Sequence, residues 1–93
     1  MKPFKLTVTM EGEEISVDNC LSLTVPTSDG LYGILANHSP VIVAVTKGNI
    51  KYRTDEGENF LPVEGAVVRF ENNTALILAR RPVEKNKPEK PEE

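Results

Sequence analysis

The sequence predicts an all-β domain built as a sandwich or barrel, and three observations carry that expectation. Apolar residues recur at every second position in several short runs. Turn-forming residues interrupt those runs at short intervals, and no window holds a helical i, i+3, i+4 stripe free of Gly and Pro. Roughly eight to ten short strands joined by tight turns suit such an architecture.

Taken in order, Phe4, Leu6, Val8 and Met10 alternate with Lys5, Thr7 and Thr9, which sets four apolar side chains on one face of a first strand. Glu11-Gly12 reads as a turn, with the acidic pair Glu13-Glu14 in it. Leu21, Leu23 and Val25 alternate with Cys20, Ser22 and Thr24 in the next strand, which Ser28-Asp29-Gly30 ends. Val41 to Val45 is continuously apolar, as for a strand covered on both faces, and Lys47-Gly48 closes it. Ile50 and Tyr52 alternate with Lys51 and Arg53 up to the turn Asp55-Glu56-Gly57. Beyond Glu64-Gly65, Val68 and Phe70 alternate with Arg69 and Glu71, and Asn72-Asn73 leads into a second continuously apolar run, Ala75 to Ala79. From Arg81 to Glu93 the chain holds four Glu, three Lys, one Arg and three Pro, with Val83 the one aliphatic residue. Such a segment cannot bury enough apolar surface to offset the entropy of ordering it. Residues 1–80 are therefore expected to form the sandwich domain and 81–93 a disordered, charged, Pro-rich tail.

Composition excludes several function classes. The chain has 93 residues, a size for one domain, and 11 basic against 14 acidic residues give a net charge of −3. That balance lacks the cationic excess that binding a phosphate backbone requires, so no nucleic-acid partner is expected. One Cys and one His cannot complete an ordinary zinc site, and one Cys makes no internal disulfide. No metal and no cofactor is expected, and Cys20 reads as a reduced, intracellular residue. The start of the chain lacks the apolar block of a signal peptide, and no run approaches the roughly 20 apolar residues that span a bilayer, so membrane association is expected to go through another protein.

Catalytic readings begin at His38, the one side chain whose ordinary pKa lies near neutrality, with Ser39, Ser28 and Cys20 as candidate nucleophiles. None has a nucleophile elbow or an electropositive helix start around it. Glu13-Glu14 and Glu56-x-Glu58 are candidate acid–base pairs, yet both stand beside Gly in turns, where carboxylates are usually solvated. Neither a Walker loop nor a dinucleotide fingerprint is present.

The most informative stretch runs from Ser28 to Ile42. Gly30, Gly33 and Pro40 bracket Leu31, Tyr32, Ile34 and Leu35, which places bulky apolar residues in or near loops. Leu31 and Tyr32 are expected to meet a partner. Ile34 and Leu35 either do the same or plug the end of the sandwich.

This stretch resembles the signature of the epsilon subunit of F-type ATP synthases, the chain called delta in mitochondria. Gly30, Gly33, Ile34, His38, Pro40 and Gly48 carry the likeness. The opening strand Phe4 to Thr9, the block Leu21 to Pro26 and the run Phe60 to Asn72 with Gly65 are similar too, so that about residues 3–80 are covered. The resemblance implies a flattened ten-stranded β-sandwich, with Gly33, Gly48 and Gly65 as structural glycines. It also implies a non-catalytic rotor subunit that joins the gamma subunit to the c ring, on the cytoplasmic side of an energy-transducing membrane and peripheral to it. On that reading His38, Pro40, Met10 and Val43 face gamma, and Ser28, Asp29, Gly30, Leu31 and Tyr32 face the c ring. The family's two-helix C-terminal hairpin has no counterpart after Arg80, so its inhibitory and nucleotide-sensing roles are not expected here. The alternative is a free-standing ligand-binding sandwich with Tyr32, Tyr52 and Phe60 as stacking groups.

Overall fold

The computed structural model describes residues 2–82. Nine strands follow one another: β1 (Phe4–Met10), β2 (Glu13–Cys20), β3 (Ser22–Thr27), β4 (Gly30–Leu35), β5 (Val41–Val45), β6 (Gly48–Thr54), β7 (Gly57–Val63), β8 (Gly65–Glu71) and β9 (Thr74–Arg80). They form a five-stranded sheet in the order β2-β1-β9-β8-β5 and a four-stranded sheet in the order β4-β3-β6-β7. The β1–β9 ladder is parallel and the other ladders are antiparallel. The all-β sandwich is as expected, with nine strands among the described residues where the resemblance implies ten. Arg81 and Pro82 lie outside the strands, and the rest of the expected tail, 83–93, is outside the described residues.

Alternation builds the core. Phe4, Leu6, Val8 and Met10 from β1, Val43 and Val45 from β5, Val68 and Phe70 from β8, and Ala75, Ile77 and Ala79 from β9 point from the larger sheet toward Leu23, Val25, Ile34, Ile50 and Val63 of the smaller one. Eight of the Leu, Ile and Val side chains among these are wholly excluded from solvent, as is Phe70, which meets Phe4 edge-on at 5.4 Å between ring centroids.

Four expectations need correction. Glu13 and Glu14 stand in β2, not in a turn, and Cys20 belongs to the core. The reason is a change of parity: between Phe4↔Cys20 and Leu6↔Val17 the ladder accommodates one extra residue on β2, a bulge that turns Cys20 inward beside Ile15 and Val17. Leu21 then carries the chain to the other sheet, donating its N–H to the Arg53 carbonyl at 2.7 Å. Second, Leu31, Tyr32, Ile34 and Leu35 lie in strand β4 and not in loops. Third, β5 and β9 are covered on one face only, for Ile42 is 72% and Leu78 57% exposed. Fourth, Arg81 is held to the β1–β2 turn: its N–H reaches the Glu11 carboxylate at 3.0 Å, and its guanidinium reaches the Glu11 carbonyl and, at 3.2 Å, the Glu13 carboxylate. The backbone N–H of Arg81 is the main reason that the Glu11 carboxyl is held below its ordinary range.

Burial pushes the Cys20 thiol up to about 11 from an ordinary 9.0, against the lowering effect of hydrogen bonds with the Ser22 and Arg53 backbone. In the window from about pH 9 to 11 the unfolded chain gives up this proton and the folded chain keeps it, so Cys20 makes stability fall as pH rises. Urea unfolding of the parent chain and of Cys20→Ala across that window checks this. The parent is expected to lose stability more steeply; parallel slopes would assign the titration to other groups.

Candidate functional site at the β4 and β5 edges

The residues singled out between Ser28 and Pro40 sit in β4, an edge strand of the smaller sheet, and in the turns at its two ends. At one end Thr27 pairs with Gly30 across a two-residue turn. The Thr27 hydroxyl accepts the Asp29 N–H at 3.1 Å and donates to the Gly30 carbonyl at 2.6 Å. Gly30 has φ of +112°, a backbone shape that favours glycine. The turn therefore holds its own shape and presents Ser28, Asp29 and Gly30 to solvent, with Leu31 following at 77% exposure.

At the other end the chain reverses through Ala36 and Asn37, where the His38 N–H donates to the Leu35 carbonyl at 3.1 Å. Asn37 has φ of +66°, which the third position of a type II turn requires. A second turn braces the first. Asn72 and Asn73 both have positive φ and join β8 to β9 as a type I′ hairpin. From there the Asn73 side chain accepts the Asn37 N–H at 2.7 Å and donates to the Pro3 carbonyl at 3.2 Å.

His38 is engaged inside the chain. Its Nδ1 lies 2.7 Å from the Ser39 carbonyl, which can only accept, so Nδ1 carries the proton. In the neutral ring Nε2 then accepts from the Tyr32 hydroxyl at 3.1 Å. The ring also meets Tyr32 edge-on at 5.7 Å and Phe70 at 6.0 Å, which links the loop to the core through Phe70 and Phe4. Neither ring nitrogen is paired with a Ser or Cys nucleophile, so the geometry that activates a nucleophile is not assembled. The acidic pairs fare no better: Glu13 is bridged to Arg81 and Glu58 lies 3.8 Å from Lys51, all on the surface. Among the described residues no three His, Cys, Asp or Glu side chains gather as metal ligands would.

Between β4 and β5 runs an open groove of about 430 Å³, with Asp29, Leu31 and Tyr32 on one wall and Val41 and Val43 on the other. It brings part of the expected c-ring set and one member of the expected gamma set onto a single side of the sandwich. Pro40 is exposed at its end, whereas Met10 is turned into the core with Leu6 and Val8 and is 6% exposed. Val43 is also largely buried, and it lines the groove. The stacking set of a ligand-binding sandwich does not form, since Tyr32 and Tyr52 pack toward the core while Phe60 stands exposed on β7.

Of the three expected structural glycines, Gly48 has an internal reason: its φ is +154°, and a Cβ there would lie 3.1 Å from the Pro26 ring. A Cβ on Gly65 would meet the Arg80 guanidinium at 3.2 Å, the free end of a flexible side chain that can move aside. Gly33 has no internal reason, for it has an ordinary backbone shape and open space where its Cβ would be. The sequence reading missed Asn37 and Asn73. The turn that holds Asn73 was visible in Asn72-Asn73, but a side chain bracing a loop 36 residues away leaves no local pattern.

Two stability measurements test this account. Gly33→Ala is expected to stabilise the isolated chain by about 0.4–1 kcal/mol by restricting the unfolded chain, while Gly48→Ala destabilises it. A double-mutant cycle between Tyr32→Phe and His38→Ala is expected to give a coupling energy of about 0.5–1.5 kcal/mol in thermal or urea unfolding. Additive effects would remove the Tyr32–His38 bond as the brace of the loop.

With the geometry in place, comparison with known proteins is direct. The family described as "ATP synthase, Delta/Epsilon chain, beta-sandwich domain" matches residues 3–85. An ATP synthase epsilon chain from Pediococcus pentosaceus is 38% identical over 72 residues, which are 77% of this chain and 52% of that one. One from Caldicellulosiruptor bescii is 30% identical over 79 residues, 85% of this chain and 58% of that one. The chain thus spans about half the length of the curated relatives it matches. Among solved structures, a chain of the Euglena gracilis mitochondrial ATP synthase (OSCP/F1/c-ring) is similar with a TM-score of 0.75 and 20% identity, covering 85% of this chain and 52% of that one. A chain of the Tetrahymena thermophila mitochondrial ATP synthase central stalk and c ring is similar with a TM-score of 0.70 and 18% identity, covering 86% and 66%. These two likenesses support the fold, and the family match over residues 3–85 settles the rest: the chain belongs to the ATP synthase delta/epsilon family, through its β-sandwich domain.

Proposed function

We propose that the chain is a non-catalytic subunit of the central stalk of an F-type ATP synthase, joining the gamma subunit to the c ring so that ion flow is coupled to ATP synthesis. The observation that carries this reading is the family match across the whole sandwich, together with a surface that offers braced loops and no assembled chemistry. The self-supported turn Ser28–Gly30 and exposed Leu31 form the c-ring contact, with Tyr32 behind them. The loop His38–Pro40 and the adjoining groove form the gamma contact. His38 acts there as the brace that holds Ser39 and Pro40 in place, because both of its ring nitrogens are occupied within the chain. A loop shaped before its partner arrives loses less freedom on binding.

No helix among the described residues is long and apolar enough to cross a membrane. The proposed location, peripheral on the cytoplasmic side of the membrane, rests instead on the proposed attachment to the c ring.

The direct test is site-specific crosslinking in the assembled enzyme. A cysteine placed by Leu31→Cys in a Cys20→Ala background is expected to crosslink to the polar loop of a c subunit, and Asp29→Lys with Leu31→Asp to weaken ring attachment. Both changes lie on an exposed turn and strand edge, where substitutions usually alter stability by no more than about 0.5 kcal/mol. An assembled, active enzyme that yields no crosslink at position 31 would contradict the c-ring assignment.

A further inference from the structure

The two sheets have four edges, and they are not alike. β2 is guarded by Glu13, Glu14, Asp18 and a bulge, and β7 by Glu58 and Pro62. These are the devices that keep a free edge from pairing with another chain. β4 and β5 have none of them: no charged residue and no Pro stands in Gly30–Leu35 or in Val41–Val45. The two unguarded edges flank the same groove.

β5 is the better template. It reads Val-Ile-Val-Ala-Val, rich in residues that favour strands, whereas β4 contains two glycines. It pairs with β8 on one side only, so alternate residues direct their N–H and C=O groups outward. Its far end is sealed, since the Thr46 N–H donates to the Pro26 carbonyl at 3.0 Å, and Pro40 precedes its near end. What is left open is a window five residues long.

We infer that β5 accepts an extended segment of a partner protein as a sixth strand of the larger sheet, with apolar side chains of that segment filling the groove toward Tyr32, Val41 and Val43. Main-chain groups at ladder spacing are matched by another strand and not by a helix or a small molecule. A second copy of this chain is the poorer occupant. Pairing β5 with β5 would bring up an identical groove and leave both unfilled, because the inward side chains of β5 are committed to their own core. The inference rests on the proposed contact with gamma and gives that contact its form.

Amide hydrogen exchange at single-residue resolution, on the chain alone and in complex with recombinant gamma, tests it. The amides of β5 that point away from β8 are expected to slow by about tenfold or more on complex formation, with no comparable change in β2 or β7. Ile42→Lys, which places a guard on the edge, is expected to weaken gamma binding by at least about tenfold, while Leu78→Lys, exposed on the same sheet two strands from the edge, changes it by less than about threefold. A complex that forms with β5 no better protected would overturn the strand-addition inference and leave the gamma contact standing. Failure of gamma to bind at all would overturn both. Protection of β5 that appears in a dimer of the chain without gamma would assign the edge to self-pairing and overturn the inference as well.

Discussion

The edge-on chain of rings from Phe4 through Phe70 and His38 to Tyr32 is the contact on which the candidate site depends. Phe4 and Phe70 are fixed by the core, at 2% and 0% exposure, so the ring that leans on them inherits a fixed position. Through His38 that order reaches a loop with no regular structure of its own, and through Tyr32 it reaches the middle of an edge strand. Without it, the five residues between β4 and β5 would be positioned by the Asn37–Asn73 bond, the turn at Leu35 and the packing of Ala36 against the core. The core therefore shapes the surface here, and the loop keeps little conformational freedom of its own.

The same dependence explains which parts of the molecule were legible in its sequence. Period two located the core of β1, β3, β6 and β8, because in each of these strands the most buried apolar side chains keep one parity. It failed at β2, where a bulge changes the parity between Val17 and Cys20, and a thiol that looked like part of a polar face became a core residue. It misled at β5 and β9 in the opposite way. A continuous apolar run means burial on both faces only if something covers the second face, and among the described residues nothing covers Ile42 or Leu78.

The functional residues divide along a similar line. The turn at Ser28–Gly30 was readable because its conformation is enforced locally, by Thr27 and by a positive φ at Gly30. His38 was readable as a special residue but not in its role, since its hydrogen bonds depend on where Tyr32 points in a strand six residues earlier. Met10 was assigned to a surface although its own alternation with Thr9 turns it inward, and in that case the residue pattern was the better guide than the resemblance. Asn73 lies beyond either, because its two partners, Asn37 and Pro3, are brought to it by the sheet order and by nothing in their neighbourhood in the chain.

Gly33 shows how far internal physics reaches. Gly30 is accounted for by its φ and Gly48 by its φ and by the Pro26 ring, so both follow from the fold of the isolated chain. At Gly33 the backbone is ordinary, the Cβ position is open, and a glycine in a strand weakens it by roughly 0.5–1 kcal/mol relative to alanine. The fold alone thus favours a side chain there. The residue sits on the outer side of an unguarded edge strand, between exposed Leu31 and Leu35, where the absence of a side chain lets another backbone come close. Gly33 is therefore not accounted for by the fold of the isolated chain, and it stands on one of the two unguarded edge strands, beside the braced loop.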